Sequence, residues 1–241
     1  SILLGGFNFN AINLERKWPD SHETGVLIVP VAKYMPSDMQ KELVKYINSG
    51  GTALLFGEIP EYDFDGNICT IVAKGLNLKD ISFEREESGK YITIQNAGYF
   101  DIYAEHHSWW VSTYEIPEAA IPVLSKYPQG KCCAFFSKVG KGRVLSVNCE
   151  TPANVEIFSG ILNTLGLFPK IQNDDLDKGI LTLVSSSYSS SQLLHIINLD
   201  DKNKILQLTC DGKYIFEGNA IRISGKAGLI LPIGLKIFKG R

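Results

Sequence analysis

The segment from Gly25 to Glu58, GVLIVPVAKYMPSDMQKELVKYINSGGTALLFGE, leaves the chain little choice of local architecture. Two short runs, Val26–Val29 and Thr52–Phe56, are almost wholly apolar rather than alternating. That pattern suits parallel strands covered on both faces. Between them Ser37 stands where a helix N-cap belongs, and Gln40 three residues on completes a capping-box pattern. Met39, Leu43, Val44 and Ile47 fall on one helical face, and Gly50-Gly51 supplies a left-handed stop. Strand, helix and parallel strand make a right-handed βαβ unit.

The same residues carry a family resemblance. A strand ending in Val-Pro, the helix SDMQKELVKYINSGG and the strand TALLFG resemble a degenerate class I glutamine-amidotransferase fold. This is the flavodoxin-like accessory domain found C-terminal to the barrel in β-galactosidases of glycoside hydrolase families 42 and 35. The tail is similar as well: LLHIINLDD followed by GLILPIGLKI resembles the C-terminal β-sandwich that closes such glycosidases. The resemblance implies an α/β, flavodoxin-like parallel sheet with flanking helices over residues 1–173, then a small antiparallel β-sandwich over 174–241. It implies no cofactor, a catalytic barrel domain of the same parent chain as partner, and a homo-oligomer, a trimer if like family 42. The barrel that bears the family's two catalytic glutamates has no counterpart in this sequence.

In a true amidotransferase the nucleophilic Cys sits on a sharp turn just after the second of these strands. Here the positions hold Gly57, Glu58 and Ile59, so that route to amidotransferase chemistry is closed. Glu58 has two readings: a ligand contact at the carboxyl end of a strand, where open α/β sheets place ligands, or a solvated loop carboxylate. Glu61, Asp63, Asp65 and Gly66 imitate the first positions of a calcium loop, but the twelfth is Val72 where a Glu is required. Asp65-Gly66 reads as a turn.

Before the βαβ unit, Ile2–Leu4 reads as a strand, and FNFNAINL as either a strand or a loop with a helical turn. After it, Asn67–Gly75 reads as a short helix with Ile68, Ile71 and Val72 inward. Ile81–Arg85 and Tyr91–Gln95 read as short strands about a turn at Glu86–Gly89. An aromatic block follows: Tyr99, Phe100, Tyr103, Trp109, Trp110 and Tyr114, with His106-His107 inside it. Such a block stacks on sugar rings, fills an interface, or is plain core. His107, Trp109 and Trp110 are candidate ligand or interface contacts. Adjacent histidines on a strand point to opposite faces and do not share a metal. Residues 132–137 and 144–147 read as strands about a Gly-Lys-Gly-Arg turn that lacks P-loop spacing. Thr151-Pro152 reads as the cap and first residue of a helix whose apolar face is Val155, Phe158, Ile161, Leu162 and Leu165, ended by Gly166. Cys149, just ahead of it, is placed to have a lowered thiol pKa, but no histidine follows locally to act as base.

From about Asp177 short strands alternate with turn clusters, the pattern of a small antiparallel β-domain. His195 sits on one of these strands and reads as a packed or edge residue. The five cysteines follow no disulfide framework and read as reduced, buried thiols of a cytoplasmic protein. A formal net charge of −2 with scattered Lys and Arg leaves no nucleic-acid footprint. No apolar run reaches the roughly 18 residues that span a membrane. A start at Ser1 is expected of a fragment of a longer chain. The expected function is therefore the non-catalytic C-terminal portion of a β-galactosidase-like glycoside hydrolase, acting in packing and subunit assembly. Two alternatives stand beside it. One is a free-standing amidotransferase-like hydrolase that uses Cys149 or a serine with His106 or His107. The other is a carbohydrate-binding module built on Trp109 and Trp110.

Overall fold

A computed structural model of the chain describes residues 2–21, 25–98, 105–152, 154–173, 179–186 and 192–233. By spatial contact the chain divides into two compact units: Ile12–Pro152, and Ser1–Ala11 together with Ala153–Arg241.

The first unit holds strands β1 (Leu27–Val31), β2 (Thr52–Gly57), β3 (Lys79–Arg85), β4 (Ile92–Asn96), β5 (Glu105–Ser108), β6 (Trp110–Glu115), β7 (Ile121–Lys126), β8 (Lys131–Val139) and β9 (Gly142–Val147). Its helices are α1 (Ser37–Asn48) and α2 (Ile71–Gly75). The strands form one mixed sheet. Its main path runs β1-β2-β9-β8-β7-β4-β5, with β6 joined to β8 and carrying β3. β1, β2 and β9 pair in parallel, and among the described residues the other pairings are antiparallel.

The βαβ unit forms as its sequence requires. The wider expectation of a flavodoxin-like sheet with flanking helices is corrected: this unit is largely β, and parallel pairing stops at β9. The reason lies after α2, where the chain runs through seven strands in succession with no helix between them among the described residues. Without a crossover helix a strand can only return antiparallel. β1 lies at the end of the path, which is why it tolerates Pro30, a residue with no N–H to donate.

Helix α1 shows how a buried polar residue shifts a face. Its buried residues are Gln40, Leu43, Tyr46 and Ile47, while Met39 and Val44 pack only partly. Ser37 lies inside the helix and makes no capping bond; Pro36 is the N-cap. Gln40 does different work from a capping box. Its Nε2 donates to the Met35 carbonyl at 2.9 Å, and its Oε1 accepts from the Ile71 and Val72 amides at 3.1 and 3.4 Å. One amide side chain thus satisfies the loop before α1 and the open amides at the start of α2. At the other end Gly51 N–H bonds the Tyr46 carbonyl, and a Cβ on Gly51 would lie 2.3 Å from the Tyr46 ring. α2 is shorter than expected, and Ile68 lies outside it, strongly exposed. The core gathers Leu27, Val29, Leu43, Ile47, Ala53, Leu55, Ile59, Val72, Tyr114, Phe135 and Val144, among others.

Two further expectations are corrected. Ile2–Leu4 forms turns, not a strand. β3 and β4 do not pair as a hairpin: β3 goes to β6, and β4 to β5 and β7. The turn itself forms, with the Glu86 carboxylate accepting from the Ser88 and Lys90 amides.

In the second unit α3 (Val155–Thr164) starts later than expected, because Asn154 caps it by accepting from the Glu156 amide at 2.7 Å. Strands β10 (Ile171–Asn173), β11 (Ile180–Ser186), β12 (Gln192–Asn198), β13 (Lys204–Leu206), β14 (Leu208–Cys210), β15 (Lys213–Tyr214), β16 (Ile221–Ile223) and β17 (Gly228–Ile233) follow. They pair antiparallel as β10-β14-β15, β11-β12-β17 and β13-β16 around Ile171, Ile180, Leu194, Ile196, Leu206, Leu208 and Ile223. Residues 171–173 pair with β14.

Gln40→Ala removes three buried hydrogen bonds and leaves a carbonyl and two amides unpaired. It is expected to cost about 3 kcal/mol, read as a lower urea midpoint with an unchanged slope.

Candidate functional site

The parallel strands β2 and β9 end side by side, and their carboxyl ends carry the chemistry of the first unit. Gly57 closes β2 with φ +121°, and a Cβ there would sit 1.9 Å from the Val31 carbonyl oxygen, so only glycine fits. Asn148 follows β9. Its Nδ2 donates to the Gly57 carbonyl at 2.6 Å, while its Oδ1 accepts from the Tyr114 hydroxyl at 2.5 Å and the Ser146 hydroxyl at 2.7 Å. Its backbone accepts from the Ser112 amide and donates to the Cys133 carbonyl. All of Asn148 is buried.

This clamp fixes the next residue, Cys149, which bridges to Val111 of β6 and is almost fully enclosed. The neighbouring Cys133 side chain lowers its thiol pKa most; burial opposes, and His106 and Thr151 add to the fall. Cys133 moves well up, through its bond to Cys149 and then through burial. Neighbouring Cys132 is pushed by burial to about 12. For His106 burial works downward, but the bond and charge of Cys149, with the Glu150 carbonyl, carry the imidazole above its ordinary value. His106 Nε2 lies 2.9 Å from that carbonyl. A carbonyl can only accept, so Nε2 bears a proton. The Glu150 carboxylate accepts from the Trp109 amide at 3.0 Å, which ties the segment to β5 and β6. The histidine that local sequence lacks arrives from β5, more than forty residues upstream.

Glu58 stands beyond β2. Its Oε1 is buried and has no hydrogen-bond partner among the described residues. Burial raises its pKa; Lys33 works against this and Glu61 with it. Nearby, Asp63 accepts from the Asp65 and Asn67 amides and the Asn67 side chain, so the calcium-like loop spends this carboxylate on its own turn. Among the described residues no group of three or more His, Cys, Asp or Glu is arranged to hold a metal.

The aromatic block is divided by strand alternation. On β5, His106 and Ser108 turn inward, and His107 turns outward with Trp109 beyond it. Tyr91 stacks on His107 at 5.5 Å and meets Trp109 edge-on at 4.5 Å, forming an exposed cluster. Trp110 packs elsewhere, on Phe83. Tyr114 is core, against Phe135. Tyr99, Phe100 and Tyr103 lie outside the described residues. In the second unit His195, half-buried on the middle strand β12, bonds the Ser185 hydroxyl of β11.

Because the folded-state pKa of Glu58 is raised, the folded protein holds that proton more tightly than the unfolded chain. Stability from this group is therefore complete below pH 4.5 and falls as pH rises through the folded value. Glu58→Gln is expected to raise Tm at pH 7, by on the order of a degree, and to leave Tm unchanged at pH 4.

With this geometry in place, the comparisons with known proteins can be read. Residues 3–113 match the family described as GLMA-like, second domain. No curated protein sequence matches the chain. Among solved structures, the cold-adapted β-galactosidase from Rahnella sp. R3 superposes with TM-score 0.75 at 11% identity, covering 96% of this chain and 35% of that one. Gan42B, a GH42 β-galactosidase from G. stearothermophilus, gives 0.74 at 12% identity, covering 96% and 34%. The β-galactosidase from Bacillus circulans sp. alkalophilus gives 0.69 at 13% identity, covering 89% and 34%. The chain spans about a third of the length of these enzymes. The resemblance carried by the βαβ unit and the tail is thereby borne out: this chain matches the C-terminal accessory region of a β-galactosidase-type enzyme.

Proposed function

We propose that the chain is a non-catalytic portion of a β-galactosidase-like glycoside hydrolase, and that it works by packing on the catalytic barrel of its parent chain and by joining subunits in the cytoplasm. The observation that carries this reading is one of extent. Almost the whole chain superposes on β-galactosidases, yet it accounts for only a third of each. A second feature supports an assembly role. Tyr34, Phe64 and Ile68, in the loops beyond β1 and β2, are 54, 72 and 81% exposed. Tyr34 meets Tyr62 at a tilt, ring centres 5.6 Å apart, and Tyr62 bridges to Ile68, which extends the apolar surface. Exposed apolar patches mark interaction sites. The nucleophile position after β2 holds Gly57, Glu58 and Ile59, which fits a domain that does not perform acyl transfer there.

Light scattering on this chain tests the assembly half. An oligomer, a trimer in the family 42 manner, is expected, and Phe64→Asp with Ile68→Asp is expected to reduce it to folded monomers. A wild-type monomer at tens of micromolar, with no affinity for the barrel portion of its parent, would contradict the reading.

A second reading is favoured by one observation, the exposed pairing of Trp109 with Tyr91 beside His107. An aromatic face with polar neighbours stacks on a sugar's C–H surface. If the cluster binds galactosides, they quench tryptophan fluorescence, and Trp109→Ala abolishes the effect while Trp110→Ala, away from the cluster, keeps it. Quenching that survives Trp109→Ala rules the cluster out.

A further inference from the structure

We propose, on the reading of this chain as a portion of a larger glycosidase, that the outward face of the β11-β12-β17 sheet docks on an apolar surface of the remainder of that parent chain.

The strand register defines the face. Leu183, His195 and Ile230 lie side by side across the three strands. Leu181 and Ile197 flank them in one direction, Ser185 and Leu193 in the other. Residues two apart on a strand share a face, so these side chains stand together. The alternate positions belong to the core: Ile180, Leu194 and Ile196 are buried in it, and Val184, Leu229 and Leu231 pack against it. An antiparallel sheet with one face on a core ordinarily turns polar residues to water on the other. Here both faces are apolar. Strands β11, β12 and β17 hold no Asp, Glu, Lys or Arg. On the outward face Leu193, Ile197 and Ile230 are 40, 37 and 60% exposed, and Leu181 and Leu183 are partly so. Ser185 and His195 bond each other at 2.8 Å, so each keeps a partner when the face is covered.

Size decides what covers it. Three strands ~4.8 Å apart, rising ~3.4 Å per residue over their length, present roughly 300 Å². Each partner in a stable free complex buries about 800 Å². A second copy docking through this face alone therefore falls short. A surface joined covalently to the same chain does not, because a linker holds it at millimolar effective concentration. The chain spans about a third of the β-galactosidases on which it superposes, which leaves the larger part of such a parent to supply that surface. The complement is apolar and uncharged, since a charge set against this face would lose its water and gain no ion.

Thiol probes test this. Ile230→Cys and Leu193→Cys place a probe on the face, and Lys213→Cys places one on β15, exposed and outside the face. Each variant is made in this chain and in the full parent enzyme and alkylated with iodoacetamide under native conditions, and the modified peptide is followed by mass spectrometry. All three thiols are expected to react readily in this chain. In the parent enzyme the two face thiols are expected to slow at least tenfold, while the β15 thiol keeps its rate. Face thiols that react as fast in the parent as in this chain overturn the proposal. Slow reaction of the face thiols in this chain by itself also overturns it, and a rate restored by dilution then identifies a second copy as the cover. The assembly reading fails on a different measurement, the light scattering of the Phe64 and Ile68 variants, which leave this face unaltered, so either can fall alone.

Discussion

The mixed sheet depends on the side chain of Asn148. The parallel part, β1-β2-β9, and the antiparallel part, which begins at β8, meet along β9. Where β9 ends, one amide holds the Gly57 carbonyl from β2 and the Tyr114 hydroxyl from β6. Buried and unpaired, the Gly57 carbonyl and the Tyr114 hydroxyl would each cost about 1–3 kcal/mol. Asn offers donor and acceptor on one short stem, so a single residue serves both sides. Asp has no donor for the Gly57 carbonyl, and Leu has neither group. The same clamp leaves the following residue no freedom, which is why Cys149 has a fixed set of neighbours.

What the sequence makes legible follows from how burial writes itself into residue choice. β2 is buried along most of its length, so it appears as an unbroken apolar run, and such a run flanked by a helix and Gly-Gly has few other readings. The tail strands are equally plain, since their turns are marked by Asp, Asn and Gly. The stretch from β3 to β7 is not. β3 exposes most of its residues and its register shifts between Lys79 and Ser82, so no alternation announces its face or its partner. The Glu86 turn is local and readable; that β3 pairs with β6 rather than with the strand across that turn is decided by contacts between distant residues. Helix starts shift in opposite directions. Ser37 and Thr151 have cap chemistry, but Pro36, one residue earlier, and Asn154, three residues later, hold the positions, because the surrounding chain sets where the first turn begins.

The candidate site was half legible for the same reason. Glu58 could be placed at a strand end from the sequence alone, and the structure keeps it there with a buried, unpartnered oxygen. His107 and Trp109 could be named as an aromatic group with polar neighbours, while their companion Tyr91, just ahead of β4, is brought near only by the fold. His106 was hardest. Beside His107 in sequence it has the same chemistry, yet alternation sends one imidazole inward to the Glu150 carbonyl and the other to solvent. No local signal distinguishes them.

That division bears on what the fold can do. A flavodoxin-like ancestor of acyl-transfer type would put its nucleophile after β2, on a turn open to a large substrate. Here Gly57 is pressed against the Val31 carbonyl and the following residue is a carboxylate. The buried Cys149 stands instead one strand over, after β9, where its backbone bridges Val111 of β6. A residue enclosed in this way offers no open turn to a large substrate, so neither strand end keeps the exposed nucleophile that acyl transfer requires.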